Sequence, residues 1–230
     1  MPTKTIIPKI TKKSNLPVDT KNQLSMAAAH PPLEAWASGT TNSVTGISAG
    51  TGSAIYGKGG TKGKAGLFDG QVQVNGNIQV DGNLTATGDI YLSGADCAEQ
   101  FDLAEAAGKV EPGTLVILDE MGGVRASSGA YDRKVVGVVA GAGHYRPGMV
   151  MDKVETGAER TVVSLMGKVF CKADASYGAI HVGDLLTSSE TPGHAMRAGD
   201  ASKAFGTVVG KALGRLESGQ GLIPMLIALQ

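Results

Sequence analysis

From position 70 to position 94 the chain alternates without a break. The even positions read Gly70, Val72, Val74, Gly76, Ile78, Val80, Gly82, Leu84, Ala86, Gly88, Ile90, Leu92 and Gly94, each apolar or glycine. The odd positions read Gln71, Gln73, Asn75, Asn77, Gln79, Asp81, Asn83, Thr85, Thr87, Asp89, Tyr91 and Ser93, a polar face from end to end. A period of two is a strand signal, not a helical one. Glycine adds a second period of six, and Asn75-Gly76 and Asp81-Gly82 are dipeptides that readily adopt the positive φ of tight turns. Each unit therefore reads as a very short strand followed by a corner. A unit with two inward apolar side chains cannot satisfy its own ladder groups or cover its own apolar face. A single-chain left-handed β-helix also uses hexapeptides, but it needs three per coil, and the repeats here make little more than one coil. Three identical chains about one axis solve the problem, each supplying one wall of a triangular core. The pattern predicts a trimeric β-helix stalk at 70–94.

Downstream, in 95–230, short β-branched runs alternate with turn signals. The runs are 114–118, 135–139, 162–173, 184–187, 206–213 and 222–229, with Glu111-Pro112-Gly113 before the first, Met121-Gly122-Gly123 in an apparent hairpin and Thr191-Pro192-Gly193 in another. Spacing of this kind predicts a C-terminal β-barrel or sandwich head. The final run is broken only by Pro224, which suits an edge or bulge, and it is expected to pack into the barrel.

Upstream the periodicity vanishes. Residues 1–50 mix Lys, Pro, Ser, Thr, Asn and Gly with few apolar positions, so they build no core and read as an extended N-terminal arm. Short helices are expected at 23–30, stopped by Pro31 and Pro32, and around 33–36, where the lone Trp36 is a natural anchor on a partner. Residues 51–69 form a glycine-rich lead-in with Ile55, Tyr56, Leu67 and Phe68 as isolated apolar contacts.

Composition agrees with an all-β reading. The 230 residues hold 34 glycines, with 4% aromatic and 18% charged residues, a balance that disfavours helical bundles. Charge cancels overall, but the first 66 residues carry eight Lys against Asp19 and Glu34. These lysines are scattered, without Arg or interleaved aromatics, so nucleic acid is not the expected partner. Cys97 and Cys171 stand in no metal-binding spacing and read as two buried thiols. No apolar stretch reaches membrane-spanning length, and residues 1–13 lack the apolar core of a signal peptide, so folding in a cytoplasm without membrane insertion is expected.

Candidate chemistry is sparse. Asp96 and Glu99 lie at the junction between stalk and head. If the segment turned helically, both carboxylates would share one face and could share a proton, as acid/base work requires. Ser164, Ser188 and Ser189 lack a glycine-elbow context, and His144, His181 and His194 lie in different segments, so no hydrolytic triad is indicated. Gly141-Ala142-Gly143 is not followed by a helix pattern, and Asp174, Asp184 and Asp200 are dispersed in turns, so neither a cofactor nor a metal is expected. Tyr131, Tyr145 and Tyr177, with His144 and His181, fall in loops where a recognition surface can form; of these His144, Tyr145, Tyr177 and His181 are the candidate binding residues.

The order of elements also carries a resemblance. Ala65-Gly66-Leu67-Phe68-Asp69-Gly70 leads into Val72-Gln73-Val74-Asn75-Gly76-Asn77. Then come Gly94-Ala95-Asp96-Cys97-Ala98-Glu99-Gln100-Phe101-Asp102, Glu111-Pro112-Gly113-Thr114 and Val135-Val136-Gly137-Val138-Val139. Over roughly 55–230 this resembles phage tail-fibre and appendage proteins and their relatives in prophages. The junction and the residues after it resemble the auto-cleaving intramolecular chaperone domain of phage appendage proteins, in which an Asp and a Glu three residues later cut the chain before that Asp. The resemblance implies Asp96 and Glu99 as a self-cleavage pair and Ala95-Asp96 as the scissile bond, with Ala95 standing where that family has Ser.

The expectation is a structural homotrimer of a phage or phage-like particle, assembled in the host cytoplasm and located in the virion. Residues 1–50 would attach it to a tail, collar or capsid protein, and the head would touch a host cell-surface glycan or protein. The alternative is a self-cleaving chaperone domain that trimerises the fibre, autoproteolysis being the one enzymatic activity the sequence offers. A third reading is a bacterial surface β-protein.

Overall fold

The structure is a computed structural model that describes residues 47–59, 61, 63–104, 110–154 and 158–229. The arm at 1–50 therefore lies outside the described residues apart from 47–50, and so do its expected helices and Trp36. The chain divides into two compact units, Met1–Asp81 and Gly82–Gln230.

In the first unit the described backbone carries bends and no strand, and Ile55, Tyr56, Leu67, Phe68, Val72 and Ile78 are all more than half exposed. Residues 75 and 76 form a bend, and another begins at 81. The polar face repeats with the same period: the Gln73 amide donates to Asn75 Oδ1 at 2.8 Å, and six residues on the Gln79 amide donates to Asp81 Oδ1 at 2.7 Å. The second unit opens in the same manner, with bends at 87–88 and 93–95 and with Leu84, Ile90 and Leu92 exposed. The corners therefore fall at the expected six-residue spacing, but not by the expected geometry. Among Gly70, Gly76, Gly82, Gly88 and Gly94 only Gly70 has a positive φ, +141°. The left-handed conformation is demanded where a chain reverses into a hairpin. No strand of the described residues pairs with 70–94, so Asn75-Gly76 and Asp81-Gly82 bend the chain without reversing it.

The rest of the second unit is nearly all β. Its strands are β1 (Asp96–Asp102), β2 (Leu115–Leu118), β3 (Val124–Ala126), β4 (Val135–Val139), β5 (Pro147–Met151), β6 (Arg160–Asp174), β7 (Leu185–Ser188), β8 (Ala195–Arg197), β9 (Val208–Ala212) and β10 (Gln220–Ile227). A 3-10 turn at Ala175–Tyr177 and the short helix α1 (Ala201–Ala204) are the helical elements among the described residues. Five strands close a barrel: β10 pairs β9, β9 pairs β7, β7 pairs β8, β8 pairs β6, and β6 returns to β10. Closure removes open edges from this ring. Inside it lie Val169, Cys171, Ile180, Leu186, Val209, Ile223, Met225 and Ile227, none more than 3% exposed. A second cluster, Val116, Val124, Val136, Val139 and Val163, forms under β2, β3, β4 and the first half of β6, with Phe101 packed against it.

β10 does pack into the barrel, but Pro224 is not on an edge strand. β10 pairs with β6 along its whole length and with β9 from Met225 onward. Proline lacks the ladder donor, so it stands just before the second ladder begins. Its ring is received by Gly214, where a Cβ would lie 2.7 Å from the Pro224 Cδ. The thiols also differ: Cys171 is fully buried, but Cys97 is only half-buried, between the exposed Met149 and Met166.

β6 is the spine. Its first half pairs with β1 and β4, and its second half with β10 and, at one position, β8. Gly167, with φ +106°, lies where the two halves meet, opposite Asp96 on one side and Ile227 on the other. A Cβ there would lie 2.6 Å from the Ala95 oxygen and 2.8 Å from the Asp96 Cα.

Gly167→Ala is therefore expected to destabilise by about 3 kcal/mol or more, since backbone strain and a backbone clash add. Gly122→Ala, at a hairpin glycine with φ +85° and open space around it, should cost only the strain, about 1 kcal/mol. Denaturant unfolding of the two variants checks the contrast.

Candidate functional site

The segment holding Asp96 and Glu99 is a strand, so side chains three apart leave on opposite faces. Asp96, the first residue of β1, is buried and accepts a hydrogen bond from the fully buried Ser164 hydroxyl at 2.5 Å. Burial pushes its carboxyl above the usual carboxylate range, and the Ser164 bond pulls against that shift. Glu99 is half-buried on the other face, opposite Met151 of β5 and Val163 of β6. The helical arrangement that would put both carboxylates on one face is thus not formed, because β1 is captured on both sides by β5 and β6.

The peptide between Ala95 and Asp96 is tightly held. The Ala95 carbonyl accepts from the Lys168 N–H at 3.0 Å, and the Ala95 N–H donates to the Arg146 carbonyl at 2.8 Å. Immediately before it the backbones of Gly94 and Gly148 touch: a Cβ at position 94 would lie 2.1 Å from the Gly148 nitrogen. Gly94 is thus a close-contact glycine. Gly76, Gly82 and Gly88 have nothing among the described residues within 4 Å of a Cβ position and φ outside the left-handed region, so no contact among those residues calls for glycine at any of the three.

The candidate binding residues fall in separate places. His144 and Tyr145 gather around Phe170 on the outside of β6, with ring centroids 5.0 Å from it in each case and 4.5 Å from each other. The Lys168 ammonium stands 5.5 Å over the Tyr145 ring, and the Arg146 guanidinium ties the loop by donating to the carbonyls of Gly141, Gly143 and Tyr145. Tyr177 is 44% exposed, with its hydroxyl 3.2 Å from that of Thr191. The exposed His181 ring has carboxylates of Asp184 and Glu217 at 3.7 and 4.0 Å.

Sequence reasoning did not single out Phe170, Arg146 or Arg160. Phe170 looks like core from its neighbours, and the arginines act through distant partners. Arg160, 11% exposed, donates to Asp102 at 2.8 Å, to Asp152 at 2.5 Å and to the Gln100 carbonyl at 2.9 Å, fixing the far end of β1. Tyr131 holds a left-handed backbone, φ +55°, and its hydroxyl accepts from the Asp200 N–H at 2.9 Å beside an open cleft that Arg133, Glu190 and Lys203 also line.

Asp174 is the counterpart of Asp96. It too is buried, and burial opposes its charge, but it accepts from the Ser176 N–H at 2.8 Å, the Thr191 hydroxyl at 2.7 Å and the Gln220 amide at 3.1 Å. Together these hydrogen bonds outweigh burial and hold its carboxyl below the usual range.

The two carboxylates should therefore respond oppositely to pH. A carboxyl raised in the folded state contributes stability below its unfolded pKa and loses it as pH rises through the folded value. Asp96→Asn keeps an acceptor for Ser164 and should raise the melting temperature at neutral pH, a gain that disappears in acid. A depressed carboxyl contributes above its unfolded pKa and loses that contribution as pH falls through the folded value. Asp174→Asn should cost about 1.5–3 kcal/mol at neutral pH, the range for hydrogen bonds to a charged group. That gap should narrow once the pH drops below about 4. Thermal melts across pH check both signs.

No family model matches the chain, and no curated protein does. Among solved structures, the chain is similar to the pre-mature form of bacteriophage phi29 gene product 12, with a TM-score of 0.47 and 15% identity over 65% of this chain and 24% of that one. It is also similar to a C-terminal fragment of the same gene product, with a TM-score of 0.39 and 14% identity over 58% of this chain and 100% of that one. A third similar structure is the N base of the head fiber gp8.5 of bacteriophage phi29, with a TM-score of 0.26 and 21% identity over 58% of this chain and 90% of that one. The chain spans about a quarter of the first of these. At these scores the likeness fixes neither fold nor role.

Proposed function

We propose that this chain is the subunit of a homotrimeric structural fibre of a phage or phage-like particle, a virion component. Residues 1–50 anchor it to a tail, collar or capsid protein, 70–94 form the trimeric β-helical stalk, and the β-barrel unit heads it. The observation that carries the reading is the state of 70–94. Val72, Ile78, Leu84 and Ile90 are 61%, 72%, 76% and 62% exposed, in a period-two pattern with a bend every six residues and no ladder partner among the described residues. Each such side chain forgoes about 1.5–3 kcal/mol of burial unless something covers it. Neighbouring copies supply both the cover and the missing ladder bonds.

The unexplained glycines support the same reading. Nothing among the described residues requires glycine at 76, 82 or 88, and the tight corner of a three-chain core does. Host attachment would fall to the head, where three copies of a weak contact gain by avidity. His144 and Tyr145 beside Phe170 are one candidate contact, and Tyr177 and His181 are others.

A second reading, self-cleavage before Asp96, draws on one feature. The Ala95 carbonyl is held by a backbone donor, and burial raises the pKa of the adjoining Asp96 carboxyl. As water adds to the Ala95 carbonyl carbon and the bond to the Asp96 nitrogen breaks, that carboxyl would give the leaving nitrogen its proton and water would supply the new carboxylate's oxygen.

Light scattering of the full chain should give the mass of three copies, and Gly82→Leu should weaken that trimer while leaving the head folded. A monomer would remove the stalk. Intact mass spectrometry separates the second reading: a product beginning at Asp96, abolished by Asp96→Asn, supports cleavage, and a single full-length mass excludes it.

A further inference from the structure

One sheet face beside the junction is left open. Cys97 of β1 lies between Met166 of β6 and Met149 of β5, so the three side chains form a row across three strands. In the next row Glu99 lies between Met151 of β5 and the fully buried Val163 of β6, where the covered part of the face begins. Met166 is 64% exposed, Met149 48% and Met151 40%. Toward its other end the same face of β1 is covered, because Phe101 packs on the second apolar cluster. Among the described residues the uncovered end is also a sheet edge, since β5 pairs there with β1 alone. Soluble proteins guard such edges with charge, proline or a bulge; Pro147 and the register shift at Gly148 guard the start of β5, and Met149, Val150 and Met151 lie beyond them.

We infer that this row, Met166, Cys97 and Met149 with Met151, is a contact surface between copies of the chain, carrying the trimer interface from the hexads into the head. The inference rests on the trimer reading above. A second copy is the occupant because the interface has no slack in which to end. Leu92, the last apolar hexad residue, is five positions before Cys97, about 16 Å of extended backbone. Between them Gly94 is locked against Gly148, and Ala95 is hydrogen-bonded on both sides to the backbones of Arg146 and Lys168. Identical chains side by side through Leu92 therefore enter β1 at the same height and in the same orientation. A closed three-fold ring repeats the row at one height around the axis, and the inferred contact sets it against a different patch of the neighbouring copy. Methionine suits such a contact, because its flexible thioether fills irregular gaps.

Cys97 reports on the surface directly. The other thiol, Cys171, is fully buried, and burial pushes its pKa up to about 12, which leaves it inert to alkylation. The full-length chain is treated with a small maleimide, and labelling at Cys97 is followed by mass spectrometry alongside light scattering. The native chain should be trimeric, with Cys97 labelled at least about tenfold more slowly than in Met149→Lys/Met166→Lys. If circular dichroism shows the double variant unfolded, Met149→Gln replaces it and should accelerate labelling in the same direction. A trimer in which Cys97 reacts equally fast with and without these changes overturns the head contact and leaves the stalk standing. A native chain that is monomeric overturns the stalk and this surface together.

Discussion

Beneath the Ala95–Asp96 peptide runs a backbone with no room for a side chain. Gly167 lies there in a left-handed conformation, at the point where β6 changes partners from β1 and β4 to β10 and β8. That contact organises the whole second unit. It lets one fifteen-residue strand serve both the closed barrel and the sheet extension, and it brings the end of the hexads onto the side of the barrel. The buried pair of Asp96 and Ser164 lies beside it, so a carboxyl whose charged form burial disfavours stands at this constrained point. A charge that costs stability at a crossing of this kind is a feature to be explained by use or by ancestry, because structure alone is better served by a neutral side chain.

The two ends of the chain's β structure obey different economies of hydrogen bonding. In the barrel every strand finds a partner on both sides, so a run of only three residues, such as β8, is enough. In the hexads the alternation is longer and cleaner, yet no ladder forms with any of the described residues. Regularity of pattern and completeness of pairing are therefore separable. The first is written in one chain, and the second can require several.

This separation explains which elements were legible in sequence. The runs at 114–118, 135–139, 162–173, 184–187, 206–213 and 222–229 each match a strand to within a few residues, because β-branched side chains bounded by Gly and Pro carry a local signal. β1 and β5 carry no such signal, and β3 and β8 show only as the second arms of the hairpins read at Met121-Gly122-Gly123 and Thr191-Pro192-Gly193. β3 and β8 are three residues long, β5 begins at Pro147, and β1 reads as a polar Asp-Cys-Ala-Glu-Gln-Phe-Asp stretch. Each is a strand only because a neighbour makes it one. The same cause misdirected the reading of Asp96 and Glu99: their spacing suggests a shared helical face, and pairing with β6 turns them apart. Ser164, 68 residues away, could not be connected to Asp96 by any spacing rule.

The lock between Gly94 and Gly148 has a consequence for assembly. A repeat of period six tolerates a slip of six residues, since glycine again meets glycine and apolar again meets apolar, so hexads alone align three chains ambiguously. A folded head attached without play supplies the missing zero of the scale. In the proposed fibre the head would act as a vernier, selecting one alignment among several that the repeat itself cannot tell apart.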